Sequence, residues 1–267
     1  MARDIPGTPT GTPPGTLPSV YGSMSQVIAH RGASGSAPEN TAAAMTEAVK
    51  QGADWAEVDV TISADGHAVI FHDNNLNRCS NGNGLVIQKT LKELEELDAG
   101  SWFSPFCAGE KILSLDALLR LADQLDLNLN LEIKPTIGRE AETVWAIQQT
   151  LARASFGPSI LLSSFNYFAL KEAQSLLPHY TRALNVEAIP SDWQDRLDSV
   201  GAEGLHFASD FIDYNMIEEV VNAGTPLACY TVNDFETAQK LLRAGVSAVF
   251  TDYPDRLLLD ARPVSQH

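Results

Sequence analysis

The sequence predicts a single TIM (β/α)8 barrel with a hairpin and a small insertion after its second strand. Eight strand-like apolar runs alternate with helix-like segments along the chain of 267 residues. One further run follows its predecessor too closely for a parallel crossover and is therefore a hairpin arm. The eight βα units fit within roughly 240 residues, the size usual for such a barrel. An open doubly wound sheet is the competing architecture.

Residues 1–24 are rich in Pro, Gly and Thr and have little to bury, so a disordered N-terminal extension is expected there. The barrel domain is expected over residues 25–263. Its first strand is V-I-A-H (27–30), followed by the helix N-T-A-A-A-M-T-E-A-V-K-Q-G (40–52), with Asn40 as a candidate N-cap and Gly52 as a stop. The second strand is W-A-E-V-D-V (55–60). After the turn containing Asp65-Gly66, the run A-V-I-F-H-D (68–73) folds back on it. Residues 74 to 113 are turn-rich and aromatic and read as an insertion over one end of the domain.

Regular alternation then resumes with a helix over 115–125, the strand L-N-L-E-I-K (129–134) and a helix over 140–154. Further strands are expected at 160–165, 181–186, 204–208, 226–232 and 247–252, with apolar-periodic helices between them.

Composition narrows the function classes. Eighteen Lys+Arg against 34 Asp+Glu give a formal charge of −16. A nucleic acid or an anionic membrane would be repelled, so neither a nucleic-acid partner nor stable membrane association is expected. Cys79, Cys107 and Cys229 are odd in number and lack C-x-x-C spacing, which argues against a disulfide framework or a thiolate metal site. The N-terminus has no apolar signal core, and no run is long enough to span a bilayer, so a cytoplasmic location is expected. The oligomeric state, monomer or homo-oligomer, is left open.

The polar residues at the strand ends carry the chemistry. Strand one ends in His30-Arg31, strand two carries Glu57 and Asp59, the hairpin returns His72-Asp73, and strand three ends in Glu132-x-Lys134. Alternation puts Glu57 and Asp59 on one strand face, and Glu132 and Lys134 on another, both inward in a barrel. Three converging carboxylates raise one another's pKa, and a divalent cation relieves that conflict. All-oxygen ligation suits Mg²⁺, Ca²⁺ or Mn²⁺. Two histidines beside it are suited to proton transfer near neutral pH. Arg31 and Lys134 can hold an anionic group.

These residues resemble the glycerophosphodiester phosphodiesterase family, and in particular its compact cytoplasmic bacterial members. The matching segments include A-H-R-G with P-E-N-T (29–41), E-V-D-V-T-I-S-A-D-G (57–66), F-H-D-N-N-L-N-R-C-S-N-G-N-G (71–84), L-E-I-K-P (131–135), Y-T-V-N (230–233) and G-V-S-A-V-F-T-D (245–252). The resemblance implies hydrolysis of small-molecule glycerophosphodiesters to glycerol 3-phosphate and an alcohol, through a cyclic phosphate. It implies His30 and His72 as the acid/base pair, and Glu57, Asp59 and Glu132 as metal ligands. Arg31, Lys134 and Tyr230 would bind substrate, Tyr230 standing where many members have tryptophan.

Several residues admit two readings. His206 faces the site or is packed between Leu205 and Phe207; Ser163, Ser164 and Asn166 bind substrate or begin the next helix. Asp252 reads as an N-cap. Trp102, Phe103 and Phe106 either wall the pocket or pack the insertion. The competing functions are a lysophospholipase-D-like phosphodiesterase, which needs an acyl-chain surface at the rim, and a non-catalytic phosphodiester-binding barrel, which would lack part of the proton-transfer set.

Overall fold

The computed structural model describes residues 19–258. Nine strands form one sheet: β1 (Val27–Ala29), β2 (Trp55–Ile62), β3 (Ala68–Ile70), β4 (Asn128–Ile133), β5 (Ile160–Ser164), β6 (Thr181–Val186), β7 (Gly204–Ala208), β8 (Leu227–Tyr230) and β9 (Ala248–Thr251). Eight of them run parallel and close into a barrel, because β1 pairs with both β9 and β2. The expected (β/α)8 architecture is thus the one observed, and the open sheet is excluded.

The ninth strand, β3, pairs antiparallel with the C-terminal end of β2, as the short turn requires. The backbone of β2 shows why there is room for it. Asp59 C=O accepts from Phe71 N–H on one edge, while Val60 C=O accepts from Lys134 N–H on the other. Since β1 ends at Ala29, β3 takes the edge of β2 that β1 leaves open, and this brings His72 back to the rim.

Helices connect the parallel strands, and a last one follows β9. They are α1 (Ala42–Lys50), α2 (Leu91–Glu96), α3 (Leu115–Gln124), α4 (Glu140–Arg153), α5 (Tyr167–Leu176), α6 (Trp193–Val200), α7 (Tyr214–Asn222), α8 (Phe235–Arg243) and α9 (Pro254–Leu258). The short α2 belongs to the insertion, which has its own small core of Val69, Phe71, Leu76, Val86, Leu94 and Ile112 against the hairpin. The cap of α1 is Thr41, whose side chain accepts from Ala44 N–H, not the expected Asn40. Asn40 instead adopts φ +62°, a left-handed conformation asparagine tolerates, and its side chain serves the site described below.

The lower interior of the barrel is filled by Ile28, Trp55, Leu161 and Phe250. Each fully buried large apolar side chain stabilises the fold by about 1.5–3 kcal/mol. Tyr21 and Met24 pack against this cluster from the chain that precedes β1. Of the expected disordered extension, the described residues are ordered: Val20–Gly22 form a 3-10 turn, and the Tyr21 hydroxyl pairs with His206 Nε2 at 2.9 Å. The physical reason is the aromatic and apolar content of that short stretch. Residues 1–18 of the expected extension and 259–263 of the expected domain lie outside the described residues.

At the opposite end, the loop after β1 runs tightly over α1. Gly32 has φ +78°, and a Cβ there would stand 2.6 Å from the Ala44 carbonyl carbon. Only glycine lets the chain turn so sharply directly behind His30 and Arg31.

Candidate active site

The site is built first from the register of two strands. Glu57 of β2 stands opposite Asn130 of β4, and Asp59 opposite Glu132. Alternation points Trp55, Glu57 and Asp59 inward from the floor to the rim, with Asn130 and Glu132 beside them. One carboxylate oxygen each from Glu57, Asp59 and Glu132 lies within 4.8 Å of the other two.

These three carboxyls do not share one electrostatic fate. Burial raises Glu57 well above its ordinary range, and the neighbouring charges of Asp59 and Glu132 add to this. Glu132 is pushed up to about 7, by burial first and then by Asp59. Burial would also raise Asp59, but Arg31 and Lys134 outweigh it and hold this carboxyl below its usual value. Arg31 Nε is 3.2 Å and Lys134 Nζ 3.5 Å from its oxygens. The trio fits a divalent cation on two grounds. Its donors are hard oxygens, and Glu57 Oε1 is buried with no hydrogen-bond partner.

The two histidines flank this cluster, each held through Nδ1 by a carboxylate. His30 Nδ1 is 2.8 Å from Asp252 Oδ1, and His30 Nε2 is 4.0 Å from Glu57 Oε2. His72 Nδ1 is 2.5 Å from Asp73 Oδ1. Such a bond fixes the ring and leaves Nε2 for chemistry. Burial lowers the His72 pKa from its ordinary value despite the opposing pull of Asp59. Asp252 sits at about 2, because the bonds from His30, Asn233 and Ser34 overcome its burial.

A chain of ion pairs ties these groups together. Arg31 donates to Glu39, Arg78 donates to both Glu39 and Asp73, and Asp73 holds His72. Asn40 donates to Asp59 Oδ2 at 2.8 Å and accepts from the Asp59 N–H. The forked guanidinium of Arg78 thus spans the loop after β1 and the loop after β3.

Two cavities with shared lining residues adjoin the cluster. The more enclosed one, about 180 Å³, is lined by His30, Glu57, His72, Asn130, Asn185 and Tyr230, among others. The second, about 530 Å³ and open to solvent, shares His72, Glu132, Lys134 and Phe165 with the first. Its outer wall comes from Asn74, Asn75 and Asn166.

The family model for the glycerophosphoryl diester phosphodiesterase family matches residues 30–256. The chain belongs to that family. It is 35% identical over 237 residues to the glycerophosphodiester phosphodiesterase of Caldanaerobacter subterraneus, covering 87% of this chain and 96% of the relative. It is 31% identical over 238 residues to the enzyme of that name from Bacillus altitudinis, covering 87% and 96%. Among solved structures, an Oleispira antarctica phosphodiesterase in complex with the product sn-glycerol-3-phosphate superposes with a TM-score of 0.89 at 43% identity. That match covers 91% of this chain and 99% of the other.

In this member of the glycerophosphoryl diester phosphodiesterase family, the strand ends bring together His30, His72, Arg31, Lys134, Tyr230 and the three carboxylates around one mouth. The Tyr230 hydroxyl donates to Val186 C=O at 2.6 Å, so the residue offers its ring as a wall. His206 is packed, bonded to Tyr21, yet its edge also reaches the enclosed cavity. Ser164 donates to Ile133 C=O, Ser163 accepts from Asn130, and Asn166 caps α5. Trp102, Phe103 and Phe106 line neither cavity.

The reading of Asp252 as an N-cap is corrected: its carboxylate accepts from His30, Ser34 and Asn233. Sequence reasoning also passed over Glu39, Arg78, Asn130 and Asn185. For Asn130 a signal existed, since N-L-N-L-E-I alternates and puts it on the same face as Glu132.

Proposed function

We propose that this chain hydrolyses glycerophosphodiesters to glycerol 3-phosphate and an alcohol, with His30 and His72 as the acid/base pair and a divalent cation held by Glu57, Asp59 and Glu132. The observation that carries this reading is the pair of carboxylate-held histidines flanking a buried carboxylate trio in a member of this family. Mg²⁺, Ca²⁺ and Mn²⁺ all suit the trio.

When bound, the cation supplies Lewis-acid polarisation of phosphate and hydroxyl oxygens. The chain's own residues do the rest. Arg31, whose buried Nε lacks an aligned acceptor, and Lys134 offer N–H groups to the phosphate. His30 reaches only the enclosed cavity, whereas His72 borders both. This distribution supports His30 as the group that takes the proton from the glycerol hydroxyl as its oxygen attacks phosphorus. His72 then protonates the departing alkoxide in the open cleft. In the second step the roles reverse: His72 takes a proton from water, whose oxygen attacks phosphorus, and His30 returns its proton to the glycerol oxygen.

The open cleft suits a variable alcohol, and the enclosed cavity suits the constant glycerol phosphate. Incubating purified protein with glycerophosphocholine and glycerophosphoethanolamine, and assaying sn-glycerol 3-phosphate and free headgroup, tests the reaction. Release of phosphocholine in place of choline would contradict it.

A further inference from the structure

The open cleft adjoins a further cavity across its outer wall. Asn74 and Pro135 line both, and the other walls of this third cavity, about 230 Å³ in volume, are Leu85, Ile87, Thr136 and Ile137. None of these side chains carries a charge, and the leucine, the proline and the two isoleucines make it mainly apolar. It shares no lining residue with the enclosed cavity that holds His30. The hollow therefore borders the reaction cleft on the side of His72 and Lys134 alone.

Both of its walls start at residues of the site. One begins at Asn74, just after His72-Asp73: Asn74 C=O accepts from Val86 N–H at 2.9 Å, and Asn75 pairs antiparallel with Leu85. These pairings fix Leu85 and Ile87 of the insertion beside the cleft, and Ile87 packs in addition against the main core of the barrel. The other wall begins at Pro135, directly after Lys134, and turns at Thr136, whose C=O accepts from Arg139 N–H at 2.9 Å. Ile137 stands on this turn, 94% exposed. A hydrogen-bonded turn that holds an isoleucine in water beside an apolar hollow leaves surface that gains by being covered.

We infer that this hollow is a subsite for the leaving alcohol, so that the chain takes glycerophosphodiesters whose alcohol carries an apolar tail. The inference rests on the phosphodiesterase reading, in which His72 protonates the departing alkoxide, and deepens it. A tail attached to that oxygen runs from His72 through the open cleft, passes Asn74 and reaches Leu85, Ile87 and Ile137. A cationic headgroup finds no carboxylate in the hollow. An acyl chain borne on the glycerol would start in the enclosed cavity, which shares no wall with it.

The test uses two synthetic diesters of sn-glycerol 3-phosphate, the ethyl and the hexyl ester, assayed by glycerol 3-phosphate release with a divalent cation present. Ethanol and hexanol are nearly equal as leaving groups, so the substrates differ only in the added methylenes. Each methylene is worth about fourfold when fully buried, and partial burial in an open hollow should give the hexyl ester about a tenfold advantage in kcat/KM, carried by KM. Ile137→Ser and Leu85→Ser are each expected to cut that advantage to about threefold or less, with turnover of the ethyl ester unchanged. Ile137 is exposed, so its variant removes the tail contact without touching the core, and a thermal melt controls the Leu85 variant. Equal use of the two esters by the wild type, or an advantage that survives in Ile137→Ser, overturns the subsite. So does a matching loss by the variants on 1-hexanoyl-glycerophosphocholine, whose chain sits on the glycerol. Hydrolysis of neither ester nor of glycerophosphocholine overturns the phosphodiesterase reading itself.

Discussion

His30 Nδ1 lies 2.8 Å from Asp252 Oδ1, although 222 positions separate the two residues. Barrel closure makes the contact, since β1 and β9 are neighbours in space and their C-terminal ends adjoin. Asp252 is in turn fixed by Ser34 and Asn233, so the imidazole of His30 is aimed by a rigid carboxylate.

Replacing Asp252 by Asn should therefore slow turnover of glycerophosphocholine roughly ten- to a hundredfold through misorientation of His30, with KM little changed. Steady-state kinetics with a thermal melt of the variant check this. A wild-type kcat would show that His30 is aimed without the carboxylate.

Arg78 joins the two halves of the site, holding Glu39 with Nη1 and Nη2 and Asp73 with Nε and Nη2. Arg78→Lys keeps a charge but loses the fork. A fall of about tenfold in kcat is expected, because both Arg31 and His72 lose their support. Unaltered kinetics in the lysine variant would reduce Arg78 to a surface ion pair.

His206 gives the fold a pH dependence of its own. Burial drives its pKa down to about 3 from an ordinary 6.5, so the unfolded chain binds a proton that the native one refuses. Its contribution is complete above pH 6.5 and is lost as pH falls toward 3, with a slope of about 1.4 kcal/mol per pH unit. Denaturant unfolding of wild type and His206→Gln between pH 5 and 6.5 should show the steeper loss only in the wild type. Parallel curves would place a charged or solvated imidazole at this position.

Glu57 and Glu132 make cation binding pH-dependent in the opposite region. Their raised pKa values favour the protonated forms between the ordinary 4.5 and, for Glu132, about 7, and a cation must displace those protons. Stabilisation by a fixed excess of Mg²⁺ or Ca²⁺, read as the shift in melting temperature against an EDTA control, should grow from pH 5 to 7 and then level off. A shift independent of pH would mean that the cation binds elsewhere.

Much of this was legible because it is local and periodic. The eight strands appear as apolar runs, and the hairpin follows from the shortness of the Asp65-Gly66 connection. Glu57, Asp59 and Glu132 are readable because alternation assigns each an inward face. Asp252, Arg78 and Glu39 were not, since their meaning lies in contacts between remote loops. An aspartate before Tyr253-Pro254 looks like a helix cap until barrel closure places His30 beside it. Asn40 likewise reads as a cap, and only the tertiary structure shows the left-handed backbone that turns its amide onto Asp59. Tyr21 escaped notice because its low-complexity surroundings mask one aromatic residue that plugs the barrel.

The central claim, that two histidines and a carboxylate-held cation hydrolyse the diester, is tested most directly by glycerol 3-phosphate release from glycerophosphocholine. The assay compares wild type, His30→Ala and His72→Ala, with and without exhaustive cation removal. Each histidine variant should lose at least about a hundredfold in kcat, and the metal-free wild type should be inactive until a divalent cation is restored. Undiminished release by both histidine variants, or by the cation-free protein, would contradict it.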